Sequence, residues 1–141
     1  MLKTYKYRIE PTKAQQHLLD IMLEQCCWLY NEVLATRKQI WEEHQQSVTL
    51  YDTEKWLPRW KQERPALKLV HSQVVQDVCK RVNLAFQACF RRVKAGENPG
   101  YPRFKPYGRY DSITYKQFGN GAKLHAHQFS RILAVRMSRR I

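Results

Sequence analysis

Two carboxamides three residues apart, Gln73 and Gln76, open a stretch with the periodicity of a helix over about residues 72–95. At a helix start a carboxamide can donate to and accept from the N6/N7 edge of adenine, and the free amides there can meet a phosphate. The same pair also suits an ordinary solvated helix face, which residues three apart share. Lys80, Arg91 and Arg92 extend that polar side. Beyond it lies Tyr101-Pro102-Arg103-Phe104-Lys105, alternating rings and cations on a proline-stiffened backbone. Arg103 and Lys105 fit phosphate contact, while Tyr101 and Phe104 fit stacking on a base or sugar.

Other chemistries find little support. Metal-dependent phosphodiester cleavage needs two or three converging carboxylates. After Glu63 the acids are Asp77, Glu97 and Asp111, scattered through a basic half. His125 and His127 fall on one face of a predicted strand but lack a third ligand. Cys26, Cys27, Cys79 and Cys89 sit on helical apolar stripes without CxxC spacing, which makes them reduced core residues. No Gly-rich phosphate loop is present, so no cofactor and no small-molecule substrate is expected.

These groups need elements to position them. In the 72–95 helix Val75, Val78, Val82, Phe86, Cys89 and Val93 form one apolar stripe, with His71 or Ser72 to cap it and Gly96 to end it. A second long helix, about 13–45, follows a capping box at Thr12–Gln15 and carries Leu18, Leu19, Met22, Cys26, Leu29, Val33, Ile40 and Trp41 inward. The two stripes should pack on each other. A short helix over about 53–63, capped by Asp52 or Thr53 and interrupted by Pro58, brings Tyr51, Trp56 and Trp60 onto the long pair; base stacking is the alternative role for Tyr51. Alternation predicts strands at about 2–9, 112–118, 122–127 and 131–137, with a turn at 119–121.

The expected fold class is thus α+β: long antiparallel helices inserted into an incomplete β-barrel. Residues 1–10 are its first strand, 11–96 a helical insertion, and 97–141 a basic loop with returning strands. Four strands leave open edges, so the natural protein is expected to continue.

Charge points to the partner. The 141 residues carry 25 Lys+Arg and 12 Asp+Glu, a net charge of +13. Residues 91–141 alone hold 12 basic and 2 acidic residues. Such asymmetry favours a polyanion, because neutralised phosphates release condensed counterions. No secretory signal or membrane span is read, so the expected location is cytoplasmic.

These stretches also resemble the OrfB/TnpB proteins of insertion sequences, relatives of the Cas12 nucleases. The likeness rests on Tyr5-Lys-Tyr-Arg-Ile-Glu-Pro-Thr12, Trp28-Leu-Tyr-Asn31, Val33-Leu-Ala35, Ser72-Gln-Val-Val-Gln76, Ala85-Phe86, Phe90-Arg91, Gly100-Tyr-Pro-Arg-Phe-Lys105, Ser112-Ile-Thr-Tyr115 and Ile132-Leu-Ala-Val-Arg136. It covers nearly the whole chain but only about the first third of a typical member, the part also described as a helix-turn-helix domain. The resemblance implies an RNA-guided DNA endonuclease whose β-barrel wedge and helical recognition parts hold guide RNA and read a motif beside the target. By position, Tyr51, Ser72, Gln73 and Gln76 match the motif-reading region, and Arg103 and Lys105 match a loop on the guide or heteroduplex backbone. The family's RuvC acids and zinc-ribbon cysteines have no counterpart in these residues. The chain is therefore expected to bind nucleic acid and cut nothing. Rival readings are a stand-alone DNA-binding module, as transposase accessory or repressor, and a subunit completed in trans by a RuvC-bearing chain.

Overall fold

The computed structural model describes residues 8–116 and the backbone of three short strands within 123–137. Helix α1 runs Lys13–His44. It opens with the Thr12 capping box: the Gln15 amide donates to the Thr12 hydroxyl (3.3 Å), and the Thr12 amide donates to Gln15 Oε1 (2.9 Å). It ends where Gln45 turns left-handed at φ 54.

Helix α2, Leu50–Glu63, begins earlier than the sequence suggests, because its cap is Thr49. Asp52 is its third residue and closes a second capping box with Thr49 (3.0 Å and 3.2 Å). Pro58 lies inside α2 on the exposed side. A 3-10 turn over Pro65–Leu69 leads into α3, Ser72–Lys94. The His71 ring accepts from the Gln73 amide (3.2 Å) to cap it. Its far end is a Schellman turn: Gly96, at φ 78, donates to the Val93 carbonyl and Glu97 to that of Arg92.

The path of the chain corrects the expected helix orientation. After α2, Arg64 Nε donates to Gln25 Oε1 at 2.6 Å, so α2 has run back along α1. Helix α3 then repeats the direction of α1. Cys26 lies near Asp77 and Arg81, and eleven residues on Arg37 meets Asn83 and Phe86. The long helices are parallel, since one intervening helix reverses the chain and the next reverses it again.

The incomplete β-barrel is also overturned: the structure is mostly helical. Of the expected strand over 2–9, the described residues keep Ile9–Glu10 (β1), which pairs Met137 and Arg136 in an open antiparallel ribbon with β2 (Lys123–His125), β3 (Gln128–Ser130) and β4 (Val135–Met137). These strands are two or three residues long and their linear order closes no barrel. In the expected strand over 112–118, residues 112–115 pair with no strand at all. The turn at 119–121, the rest of the expected strands and His127 lie outside the described residues.

The core lies between α1 and α3, around Cys26, Leu29, Val33, Val74, Val78, Cys79 and Val82. The stripes fail at their ends, where Leu18, Trp41 and Val93 are exposed. Burial pushes the Cys26 and Cys79 thiols up to about 12. Raised values mean that the folded chain holds protons that the unfolded chain would release. This contribution to stability is therefore complete below about pH 9 and declines as the pH climbs toward 12. In the native protein a thiol reagent at pH 8 should label half-buried Cys89 well before Cys26 or Cys79, as mass mapping of the labelled peptides will show.

Candidate nucleic-acid interface

From the end of α3 the chain returns as an extended strap over the seam between the long helices. Tyr101 packs edge-on against Phe86 (5.5 Å), Tyr110 lies buried beside Tyr30 (6.1 Å), and Tyr115 meets His71 (5.7 Å). Two polar anchors fix its course. Asn31 grips the main chain of Lys105 in both directions: Nδ2 donates to the carbonyl (2.8 Å), and Oδ1 accepts from the amide (2.8 Å). Arg81 donates to Asp77 (2.8 Å), to the Ser112 carbonyl and hydroxyl (2.9 Å and 3.0 Å), and to the Thr114 hydroxyl (3.0 Å). Ile113 and Tyr115 face the core between those bonds. The alternation that suggests a strand at 112–118 is thus real, but its partner is a helix-borne guanidinium.

The site residues expected from sequence divide accordingly. Lys105 is turned inward, its ammonium over the rings of Tyr30 (4.9 Å) and Tyr110 (5.1 Å), a cation–π setting that competes with phosphate. Arg103 and Phe104 are exposed on the same strap, and Tyr101 is partly so. On α3, Ser72, Gln76 and Lys80 share one solvent face, four residues apart. Gln73 departs from that face. It is 7% exposed, because the first turn of α3 is enclosed on more than one side and Gln73, Val74 and Val75 are all buried. Tyr51 is exposed at the start of α2, with the Lys55 ammonium 4.3 Å over its ring, while Trp60 is buried and Trp56 half-buried. Packing of Tyr51 on the long helices is therefore not seen.

Arg91 and Arg92 stand on the part of α3 that outruns the core. From Phe90 to Gly96 every residue is exposed, and Lys94 joins the two arginines there. Cations at a helix C-terminus also complement its dipole. Among the described residues none of the three forms an ion pair.

One group was not among the expected site residues. Arg37 is 8% exposed, lies 4.4 Å over the Phe86 ring, and donates to Asn83 Oδ1 (3.2 Å). Burial lowers its affinity for the proton, although a guanidinium stays charged at neutral pH. It borders a cleft with Trp41, Phe90 and Tyr101. The signal was legible: Val33, Arg37 and Trp41 are four apart, so a cation interrupts the apolar stripe. Among the described residues no three His, Cys, Asp or Glu side chains gather where a metal ion would sit, and no helix is long and apolar enough to cross a membrane.

Lys105 and Arg103 should therefore separate by substitution. Lys105→Met is expected to lower unfolding stability by about 0.5–1 kcal/mol in urea while leaving nucleic-acid affinity nearly unchanged. Arg103→Ala should do the reverse, weakening binding without moving the urea midpoint.

A family model described as a helix-turn-helix domain, that of OrfB/IS605, matches residues 1–46. No curated protein matches the chain. Within the matched residues Lys13–His44 is one unbroken helix, and the first turn between helices follows at 45–49. The match supports DNA binding as the chain's role. Residues 1–46 are thus similar to the N-terminal helix-turn-helix domain of OrfB/IS605 proteins.

Proposed function

We propose that this chain is the nucleic-acid-holding N-terminal part of a TnpB-type RNA-guided endonuclease, acting in the cytoplasm on guide RNA and target-adjacent DNA. The carrying observation is the end of α3, where Arg91, Arg92 and Lys94 stand clear of the core with no ion-pair partner among the described residues. Free cations on a projecting helix neutralise backbone phosphates without reading bases, which suits a surface that recognises shape and charge. The face of Ser72, Gln76 and Lys80 lies on the same helix, up to nineteen residues or about 28 Å from Arg91, and suits contact with a base edge or adjoining phosphates. The OrfB/IS605 match and the excess of cations support the same reading. The chain holds and positions, while acids contributed by other residues or another chain cut.

The stand-alone DNA-binding module remains the second reading, favoured by the helix-turn-helix description of the matched family. Against it, a helix-turn-helix unit joins its helices by three or four residues, and no turn interrupts Lys13–His44.

Substituting Arg91, Arg92 and Lys94 together by Ala should weaken binding to duplex DNA of any sequence. The slope of log affinity against log salt should fall by about 0.9 for each phosphate that the variant no longer neutralises. An unchanged slope would remove this end of α3 from the interface. The purified 141-residue chain, given magnesium, a guide and its target, is expected to leave the DNA intact; nicked product on a denaturing gel would refute the non-catalytic reading.

A further inference from the structure

We propose that the cleft beside Arg37 holds one unstacked guanine base of a single strand, sandwiched by rings and read along its edge by the guanidinium. This rests on the nucleic-acid reading above and adds a base-specific subsite to it. The cleft is small and open to solvent, about 90 Å³ against the roughly 300–1,000 Å³ usual for small-ligand sites, which suits one flat base with the rest of its strand left outside. Phe86 and Val48 form its buried floor. Three large rings stand around it half in water: Trp41 at 50% exposure, Phe90 at 51% and Tyr101 at 44%. Each comes from a different element: α1, α3 and the strap. Their convergence on one opening is a property of the fold.

Arg37 supplies the specificity. A buried cation is costly unless it is paired, yet no carboxylate forms an ion pair with it among the described residues. Of its five N–H donors, one nitrogen's bond goes to Asn83. The occupant should therefore be flat, apolar on its faces and rich in acceptors on one edge. Guanine presents N7 and O6 side by side, which a guanidinium fork meets with two parallel bonds; adenine places an amino donor where O6 would be. A base stacked within a duplex cannot enter, so the ligand is a loop, bulge or single strand. Lys38, 6.0 Å from the Tyr101 ring, stands at the same edge to meet a neighbouring phosphate.

The test uses the full chain and labelled oligouridine strands carrying a central guanine, 7-deazaguanine or adenine, followed by fluorescence anisotropy. The guanine strand should bind about tenfold more tightly than the other two, since 7-deazaguanine lacks the N7 acceptor. Trp41→Ala, at an exposed position that the core does not need, should weaken guanine-strand binding about tenfold and leave duplex affinity unchanged. Arg37→Lys should erase the preference for guanine over 7-deazaguanine. Equal binding of all three strands by the wild-type chain overturns the proposal, as does a guanine preference that survives Trp41→Ala. If the wild type shows no preference while the α3-end variant still loses duplex binding, the subsite alone fails and the holding role stands.

Discussion

Arg81 is the residue on which the arrangement depends. Its guanidinium is donor to one carboxylate, two hydroxyls and one main-chain carbonyl, and also lies 5.1 Å from the Tyr110 ring. Hydrogen bonds to a charged donor are stronger than neutral ones, and a planar fork loses less freedom in making several at once. Through them an irregular segment with no ladder of its own is held in register on α3. Without that register, Ile113, Tyr115 and Tyr110 would not lie on the helix seam, and the core between α1 and α3 would be open on one side. Asn31 performs the same service lower down, using a side-chain amide as a surrogate backbone for Lys105.

Parallel long helices follow from the short one between them. A loop of five residues, 45–49, can only send α2 back along α1, and the 3-10 turn sends α3 forward again. Helix α3 consequently is packed along its first four turns, while among the described residues its last turn is exposed all round. That projecting end cannot contribute to the core, and its residues are free to be charged. The mostly exposed run from Phe90 to Phe104 is where folding constrains residue type least, and there Arg91, Arg92, Lys94 and Arg103 are gathered.

Much of the helical frame was legible because its signals are local. Thr12 and Gln15, Gly96, and the spacing of Val75, Val78 and Val82 act within a few residues, and periodicity reports them directly. What could not be read is what depends on the partner. Alternation at Ser112-Ile-Thr-Tyr115 announces an extended chain with two unlike sides, but a neighbouring strand and a neighbouring arginine impose the same pattern. Gln73 illustrates a related blindness: a polar residue among apolar ones marks a solvent face only where the helix is covered on one side. Thr49 was missed as a cap because Asp52 is equally suited to that role, and only the loop path decides between them. Lys105 and Arg103 have the same sequence context, alternate on the same segment, and differ in which side of the strap meets Tyr30 and Tyr110.

Composition therefore overstates the charge available to a ligand. Arg37, Arg64, Arg81 and Lys105 are committed inside or at the edge of the fold, over Phe86, Trp28, Tyr110 and Tyr30. Arg64 and Arg81 also have carboxylates within 4.0 Å, which cancels their field at long range. Arg37 and Lys105 have none among the described residues, and the rings that hold them carry no net charge. Their charge is instead met by the negative faces of those rings, which hold the groups fixed. The cations of the fold therefore fall into two sets: exposed ones at the end of α3, without an ion-pair partner among the described residues, and ones held against aromatic faces. The first set costs the core nothing to change, whereas the second is tied to the packing of the rings that hold it.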